Sequence, residues 1–275
     1  MHTPIKLARL YLKQRSVSLT YAANLLRAAG RCPSLTNEAL NTLLRKRLET
    51  RSTGTVRSER TMLLSIWRWG YENGLVDTLP RGIMRIKNRK PATQAWTVEQ
   101  LQLAIKSTDR YKGKKTRAGA PLDLMMRTWI LLAYESGARF GDVWSFRGDQ
   151  IDGDVLRWVQ SKTGDALAKV LSPACLDAVK QMAAVSPDGR IIGWACGRRM
   201  ASRWMRRHLD DCGLKGTSKW LRRSGATHIE MLHPGKASLH LGHRTPTLAA
   251  QAYIDWGQVR KTTPVTPQLI NTPLE

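Results

Sequence analysis

A phenol and several cationic side chains follow one another in a short stretch of the chain. The segment from Lys219 reads Lys-Trp-Leu-Arg-Arg-Ser-Gly-Ala-Thr-His, Leu-Gly-His follows at 241–243, and Tyr253 comes ten residues after His243. Tyrosine has a pKa of about 10, so it attacks at neutral pH only where positive groups stabilise its anion and the transition state. The order therefore predicts attack of Tyr253 on a phosphodiester that fixed cations hold.

Two more distant cations fit the same hypothesis. Arg139 lies in a Gly-x-Arg turn after an apolar stretch, and Lys162 lies at the tip of a predicted hairpin. Each candidate also has an ordinary structural interpretation: an ion pair of Arg139 with Asp142, a solvated lysine, a turn histidine or a core tyrosine. Taken singly, the residues leave both interpretations open.

The charge of the chain predicts a polyanionic partner. The 275 residues include 45 Lys and Arg but only 21 Asp and Glu, which gives a net charge of +24 and a pI near 10.6. Because 42% of the residues are hydrophobic, the chain can bury a core and is not a disordered basic tail. Residues 1–92 hold 18 basic and 5 acidic side chains, and residues 93–275 hold 27 and 16. Two basic halves favour a clamp around double-stranded DNA.

The cysteines and the hydropathy exclude other classes of protein. Cys32, Cys175, Cys196 and Cys212 stand far apart with no C-x-x-C pair, which argues against a zinc site or a disulfide framework. The first residues lack the apolar core of a signal peptide, and no run of 18 apolar residues exists. We therefore expect a cytoplasmic, nucleoid-associated protein with no metal, no cofactor and no membrane partner.

Two regions are predicted, with a boundary near residue 90. Residues 1–90 indicate short helices at 5–14, 19–29, 36–49 and 55–73, the third capped by Thr36 and the last ended by Gly74. A basic, proline-bounded linker closes this region. Residues 91–275 begin with a helix capped by Thr97 and an apolar core helix from Leu122 to Gly137.

A change of periodicity after Asp149 predicts a small antiparallel sheet. Residues 151–171 alternate, with turns at Asp152-Gly153 and Thr163-Gly164. The chain then reads as helical again from Pro173, and its last dozen residues are rich in Pro and Thr. The fold class expected is mainly α with a small antiparallel β-sheet in the C-terminal region (α+β).

The series Gly-x-Arg, hairpin Lys, Leu-Arg, Leu-Gly-His and Tyr resembles the tyrosine recombinase (phage integrase) family. Residues 51–60, followed by Trp69-Gly-Tyr-Glu-Asn-Gly-Leu-Val, are similar to that family's core-binding domain, and Thr97-Val-Glu-Gln-Leu to the entry of its catalytic domain. The resemblance covers most of the chain. It implies a site-specific recombinase that works as a tetramer on paired DNA sites, often in a mobile element.

The resemblance also implies a role for each candidate residue. Arg139 and Arg222 would grip the phosphate, Lys162 would protonate the leaving 5′-oxygen, His243 would hydrogen-bond the phosphate, and Tyr253 would form a 3′-phosphotyrosyl link. DNA would be held through phosphates by Arg51, Arg57, Arg60, Lys87, Arg89 and Lys90, or these side chains would form a solvated face.

Two positions depart from the family pattern. Lys219 stands where the family usually has His, and Tyr253 follows His243 by ten residues instead of nine, which turns a helical position by about 100°. These departures favour one alternative, an inactive integrase-like protein that only binds DNA and regulates a mobile element. A second alternative is a type IB topoisomerase-like enzyme, which relaxes DNA without paired sites. A basic structural nucleoid protein is a weaker third.

Overall fold

The computed structural model describes residues 2–87 and 92–259, which divide into two compact units, Met1–Pro91 and Ala92–Glu275. The predicted fold class is confirmed, because the chain is mostly helical and its one described sheet is small and antiparallel. Two of the predicted DNA-binding residues, Arg89 and Lys90, and the Pro/Thr-rich end of the chain lie outside the described residues.

The first unit is built from four helices. They are α1 (Pro4–Lys13), α2 (Leu19–Arg31), α3 (Asn37–Thr50) and α4 (Thr53–Glu72). Each begins after a Ser or Thr whose side chain accepts a hydrogen bond from a backbone N–H of the first turn, as expected for N-caps. The helix predicted at 55–73 begins two residues earlier than expected because Ser52 supplies its cap.

The core of the first unit lies between these helices. Leu7, Leu25, Leu40, Leu63 and Trp67 are fully or almost fully buried there. After α4 the chain returns along the helices without regular structure, and the indole N–H of Trp67 donates to the carbonyl of Thr78 at 2.6 Å. This hydrogen bond satisfies the polar atom of the buried tryptophan and holds the returning segment against α4.

The second unit surrounds the core helix α6. In chain order it contains α5 (Val98–Lys106), a 3-10 turn (Ser107–Tyr111), α6 (Leu122–Ser136), α7 (Phe140–Ser145), a 3-10 turn (Gly148–Gln150), β1 (Ile151–Asp152), β2 (Val155–Val159), β3 (Ala166–Val170), α8 (Pro173–Ala184), α9 (Arg198–Asp211), α10 (Lys219–Leu232), α11 (Ala237–Leu241), α12 (Pro246–Ala252) and α13 (Trp256–Val259). Thr97 and Gln100 form the capping box of α5.

Helix α6 is buried on most of its surface. Met125, Met126, Trp129 and Ile130 are at most 1% exposed, so the helix forms the centre of a continuous core with α8 and α10 around it. It ends at Gly137, whose φ of +58° is readily available only to a residue without a side chain. The chain can therefore turn sharply and begin α7 at once.

The sheet presents one face to this core. Strands β1, β2 and β3 pair in order and antiparallel, with Val155 opposite Val170 and Val159 opposite Ala166. Along β2 the buried side chains are Leu156 and Trp158, and the alternation continues into the turn, where Gln160 is buried. Lys162 follows in that turn, as the sequence predicts.

Candidate active site in the second unit

A cleft of about 330 Å³ in the second unit brings together most of the predicted catalytic residues. The cleft lies between α6, α7, α10 and the β2–β3 turn. It is lined by Trp129, Ala133, Ala138, Arg139, Phe140, Lys162, Thr217, Ser218, Lys219, Arg222 and Tyr253. Four of them are cationic, and none of the described lining residues is acidic. The cleft therefore suits an anionic group such as a phosphodiester.

Arg222 is the buried cation of the site. It lies on α10, its side chain is 3% exposed, and it donates to the carbonyl oxygens of Gly137 and of Leu241, the latter at 3.1 Å. Both carbonyls lie at helix ends, where backbone acceptors are left without helical partners. Burial lowers the pKa of Arg222 to about 10, so the guanidinium stays protonated at neutral pH.

His243 lies in the turn that follows α11. Gly242 adopts φ of +62°, and the backbone N–H of His243 donates to the carbonyl of Ser238 at 2.9 Å. Its Nε2 lies 3.1 Å from Nη2 of Arg222. Because a guanidinium can only donate, Nε2 accepts and the ring proton lies on Nδ1. Burial, followed by the charges of Arg222 and Arg139, lowers the pKa of His243 to about 4, so the ring is neutral at pH 7.

Tyr253 faces these groups from the end of α12. Its ring centroid lies 5.0 Å from that of His243, 4.9 Å from Cζ of Arg222 and 5.7 Å from Nζ of Lys219. The sequence interpretation treated Tyr253 as a helical position, but α12 ends at Ala252 and Tyr253 is its C-terminal cap residue, with φ of −130°. The 100° rotation per extra residue therefore does not apply at this position.

The backbone around Tyr253 is anchored to α10. Thr227 donates from Oγ1 to the carbonyl of Tyr253 at 3.4 Å and accepts from the backbone N–H of Asp255 at 2.9 Å. Thr227 itself is fully buried. Since α10 also carries Lys219 and Arg222, one helix positions both the phenol and two of the cations near it.

Arg139 and Lys162 occupy the other side of the cleft. Arg139 is the residue before α7 and is half-buried, and its Nη1 donates to Oε1 of Gln160 at 2.6 Å. The alternative pairing with Asp142 is not formed, because Asp142 instead accepts from the backbone N–H and hydroxyl of Ser161. Lys162 is exposed in the β2–β3 turn and has no hydrogen bond or ion pair within the described part of the chain. Its ammonium group is therefore available to a ligand.

Two buried polar residues of the site were missed by the sequence interpretation. Asp142 is 2% exposed and holds Ser161, and Gln160 is 1% exposed and holds Arg139. One signal for Gln160 was present in the sequence: it continues the inward-facing positions of β2 after Leu156 and Trp158, where a polar side chain needs a partner. The sequence interpretation left His228 and His240 as structural or surface residues; both are buried, and neither lines the cleft.

The basic residues predicted to hold DNA in the first unit have different surroundings. Arg51, between α3 and α4, and Arg57, on α4, are exposed, as is Lys87. Arg60 instead donates from Nε to the carbonyl of Met84 at 2.8 Å and from Nη2 to Ile83, so it holds the returning segment. Arg60 is partly exposed, and these bonds give it a structural role inside the unit.

A second cleft, of about 410 Å³, lies within the first unit. Four of its nine lining residues are arginines: Arg27, Arg31, Arg47 and Arg51, together with Asn24, Thr55, Ser58, Glu59 and Met62. Arg47 makes a bidentate pair with Glu59, at 2.9 and 2.7 Å. The sequence interpretation named only Arg51 among these arginines, because the other three lie on two separate helices, α2 and α3.

Comparison with solved structures identifies the architecture. Lambda integrase residues 75–356 bound to DNA superpose with a TM-score of 0.75, at 20% sequence identity over 94% of this chain and 97% of that one. The chain has the fold of the tyrosine recombinases. A Tn1549 transposon integrase in complex with a circular intermediate DNA gives a TM-score of 0.71, at 13% identity over 95% and 98%. XerH recombinase bound to a difH substrate gives 0.67, at 13% identity over 94% and 84%.

Sequence comparison alone finds no such relationship. No protein-family profile matches the chain, and no curated protein matches its sequence. Within residues 2–87 and 92–259 no helix is long and apolar enough to cross a bilayer, and no group of three His, Cys, Asp or Glu side chains could hold a metal ion. The likeness to these solved structures therefore lies in the fold, and the residues of the cleft indicate the chemistry.

Proposed function

We propose that this protein is a site-specific DNA recombinase that cleaves and rejoins strands through a 3′-phosphotyrosyl intermediate on Tyr253. The observation that carries the proposal is the position of the phenol. The ring centroid of Tyr253 lies within 6 Å of Cζ of Arg222, Nζ of Lys219 and the ring centroid of His243. The same cleft also contains Arg139 and Lys162. A phenol surrounded by cations is the arrangement that its use as a nucleophile requires.

The first step is attack of the Tyr253 phenolate on phosphorus, after the phenol proton has passed to water. Arg139 and Arg222 neutralise the negative charge that grows on the non-bridging oxygens. The terminal nitrogens of Arg222 already have backbone acceptors, whereas its Nε has no partner among the described residues. The Nε–H and the second N–H of Nη1 are therefore the donors left for a phosphate oxygen.

Departure of the 5′-oxygen needs a proton. Lys162 is an exposed cation of the cleft with no hydrogen bond or ion pair among the described residues, and it supplies that proton as general acid. The bond to tyrosine conserves the energy of the broken phosphodiester, so the 5′-hydroxyl can later attack it and rejoin the strand without ATP. The fixed cations supply the positive charge for which other nucleases use a metal.

Lys219 acts on the nucleophile in this mechanism. Its ammonium group lies 5.7 Å from the ring centroid of Tyr253, where it stabilises the phenolate as a positive charge instead of accepting the proton. His243 is neutral and accepts a hydrogen bond from Arg222, so it orients that guanidinium. When a phosphate enters, the ring donates to a phosphate oxygen with its proton on Nε2 instead of Nδ1.

The partners follow from the same proposal. Lambda integrase was crystallised as a dimer on a core site and as a tetramer on a Holliday junction. We propose that this chain also binds double-stranded DNA and assembles as a tetramer on paired sites, as an enzyme of a mobile element that acts in the cytoplasm on the nucleoid. Most contacts would be to phosphates, so affinity would fall steeply with salt.

Covalent trapping tests the proposal. Wild-type protein and Tyr253→Phe are incubated with nicked duplexes from the flanks of the protein's own gene, and SDS-resistant, protease-sensitive adducts are sought. Tyr71→Phe, on the exposed surface of α4, is the matched control. We expect adducts with wild type and Tyr71→Phe only. An adduct with Tyr253→Phe would place the nucleophile elsewhere.

A DNA-binding protein without cleavage is the second candidate, and Lys219 in place of the usual histidine favours it. Binding by wild type and Tyr253→Phe with no adduct from either would support that function. A topoisomerase-like activity would instead appear as relaxation of supercoiled plasmid without any preferred site.

A further inference from the structure

Gln160 connects the two sides of the candidate active site. Its Oε1 accepts from Nη1 of Arg139 at 2.6 Å and from the hydroxyl of Thr163 at 2.9 Å, and its Nε2 donates to the carbonyl of Leu241 at 3.0 Å. Arg222 donates to that same carbonyl. One buried side chain therefore reaches the residue before α7, the β2–β3 turn and the turn that carries His243.

The backbone of Gln160 closes the turn that carries Lys162. Its N–H donates to the carbonyl of Asp165 at 2.8 Å, and its carbonyl accepts from the N–H groups of Thr163 and Gly164. Lys162 thus lies inside a loop that begins at Gln160, and the side chain of Gln160 fixes the position of that first residue. Lys162 itself is exposed and has no partner among the described residues, so the loop alone sets its position.

We infer that Gln160 is a positioning residue, which holds Arg139 and the Lys162 turn in a fixed relation to each other. The inference rests on the proposed function, because it concerns the phosphate that those two cations would share. Gln160 lines no part of the cleft and touches no reacting atom. An amide is the side chain suited to this place, since it accepts from two donors and donates to a carbonyl at the same time.

Replacement by methionine tests the inference. Gln160→Met keeps the length and approximate volume of the side chain but removes all three hydrogen bonds. We expect single-turnover cleavage of a nicked duplex, cut at the site mapped by trapping, to fall about 10–100-fold, because an ångström of misplacement has that effect on a catalytic group. Gln181→Met, on the exposed face of α8, makes the same chemical change away from the site and should cleave like wild type.

A sulfur-substituted substrate separates positioning from general damage. When sulfur replaces the bridging 5′-oxygen at the cleavage site, the leaving thiolate needs no proton, since a thiol has a pKa of about 8.5. Lys162→Ala should then regain most of the about 10²–10⁴-fold that a general acid supplies, whereas Arg139→Ala should not. Gln160→Met should be rescued in part, because it disturbs both cations.

Each other outcome has a definite meaning. Gln160→Met cleaving the oxygen substrate at the wild-type rate would overturn the inference, and so would an equal loss on both substrates together with a lowered unfolding midpoint. If Gln160→Met fails to fold, Thr163→Val on the exposed turn replaces it. Thr163→Val should show a smaller loss of cleavage, which the sulfur substrate should also relieve. No loss of cleavage in Thr163→Val would count against the inference. A wild-type protein that cleaves neither substrate would instead overturn the proposed function.

Discussion

Gly225→Ala tests whether the close approach of α10 to α6 holds Arg222 in place. Gly225 is buried on α10, three residues after Arg222. A Cβ at this position would overlap the backbone carbonyl oxygen of Tyr134 on α6 and lie 3.1 Å from Nε2 of His240. The carbonyl cannot rotate away as a side chain would, so the two helices would have to separate.

The expected change in stability combines two effects of opposite sign. Overpacking of a close contact costs about 1–3 kcal/mol, and replacing glycine by alanine within a helix returns about 0.5–1 kcal/mol. We therefore expect the second unit to lose about 1–2 kcal/mol, which corresponds to about 2–8 °C in Tm for a unit of this size. Cleavage should fall as well, because Arg222 is carried on the displaced helix.

The assay is urea unfolding with hydrogen exchange followed separately in each unit. Gly30→Ala is the matched control: Gly30 is also helical, on α2, but a Cβ there would meet nothing within 4 Å. That variant should stabilise the first unit by about 0.5–1 kcal/mol. A Gly225→Ala protein whose second unit is as stable as wild type would refute the steric argument.

Two further predictions concern the turn before His243 and the buried histidines. Gly242→Ala should lower the free energy of unfolding by about 1–3 kcal/mol more than Gly153→Ala. Both glycines have φ near +62°, but only a Cβ at 242 would crowd Gln160, at 2.7 Å from its Nε2. Equal losses of stability in urea unfolding would contradict this. Burial lowers the pKa of His240 to about 3 and also lowers those of His208 and His228 from 6.5. The unfolded chain therefore binds more protons below pH 6.5, so the stability that these histidines contribute should be complete above that pH and fall as pH decreases toward 4. For His240 the fall is up to about 1.4 kcal/mol per pH unit, and His208 and His228 add to it. His240→Leu should flatten this slope, and an unchanged slope would show that His240 does not titrate as its burial implies.

Local signals in the sequence were enough to predict most elements. Thr36 and Thr97 cap helices because their hydroxyls satisfy first-turn N–H groups, and Gly137 ends α6 because a left-handed residue is needed there. The alternation around Trp158 and the Thr163-Gly164 turn predicted both the sheet and the place of Lys162. Each of these features depends on residues that are neighbours along the chain.

The features that the sequence did not reveal depend on contacts between distant residues. Tyr253 leaves α12 because Thr227 on α10 bonds its carbonyl, which no local pattern announces. Arg60 was expected as a DNA-binding or solvated cation at the start of a helix. It instead donates to the carbonyls of Ile83 and Met84 in the returning segment, more than twenty residues later along the chain. Such partners come from the packing of whole helices.

The sequence by itself determined which chemistry is possible, since it supplied a phenol, several cations and a net charge of +24. It also determined the helices and the sheet, because capping, periodicity and turn residues act over a few positions. Only the tertiary structure decided that Arg139, Lys162, Arg222 and Tyr253 line one cleft, although they are spread over more than a hundred residues. The reason is physical: the burial of α6 against α8 and α10, with the apolar face of the sheet, brings those four positions together, and the polar side chains at their edges, Gln160 above all, then fix them in place.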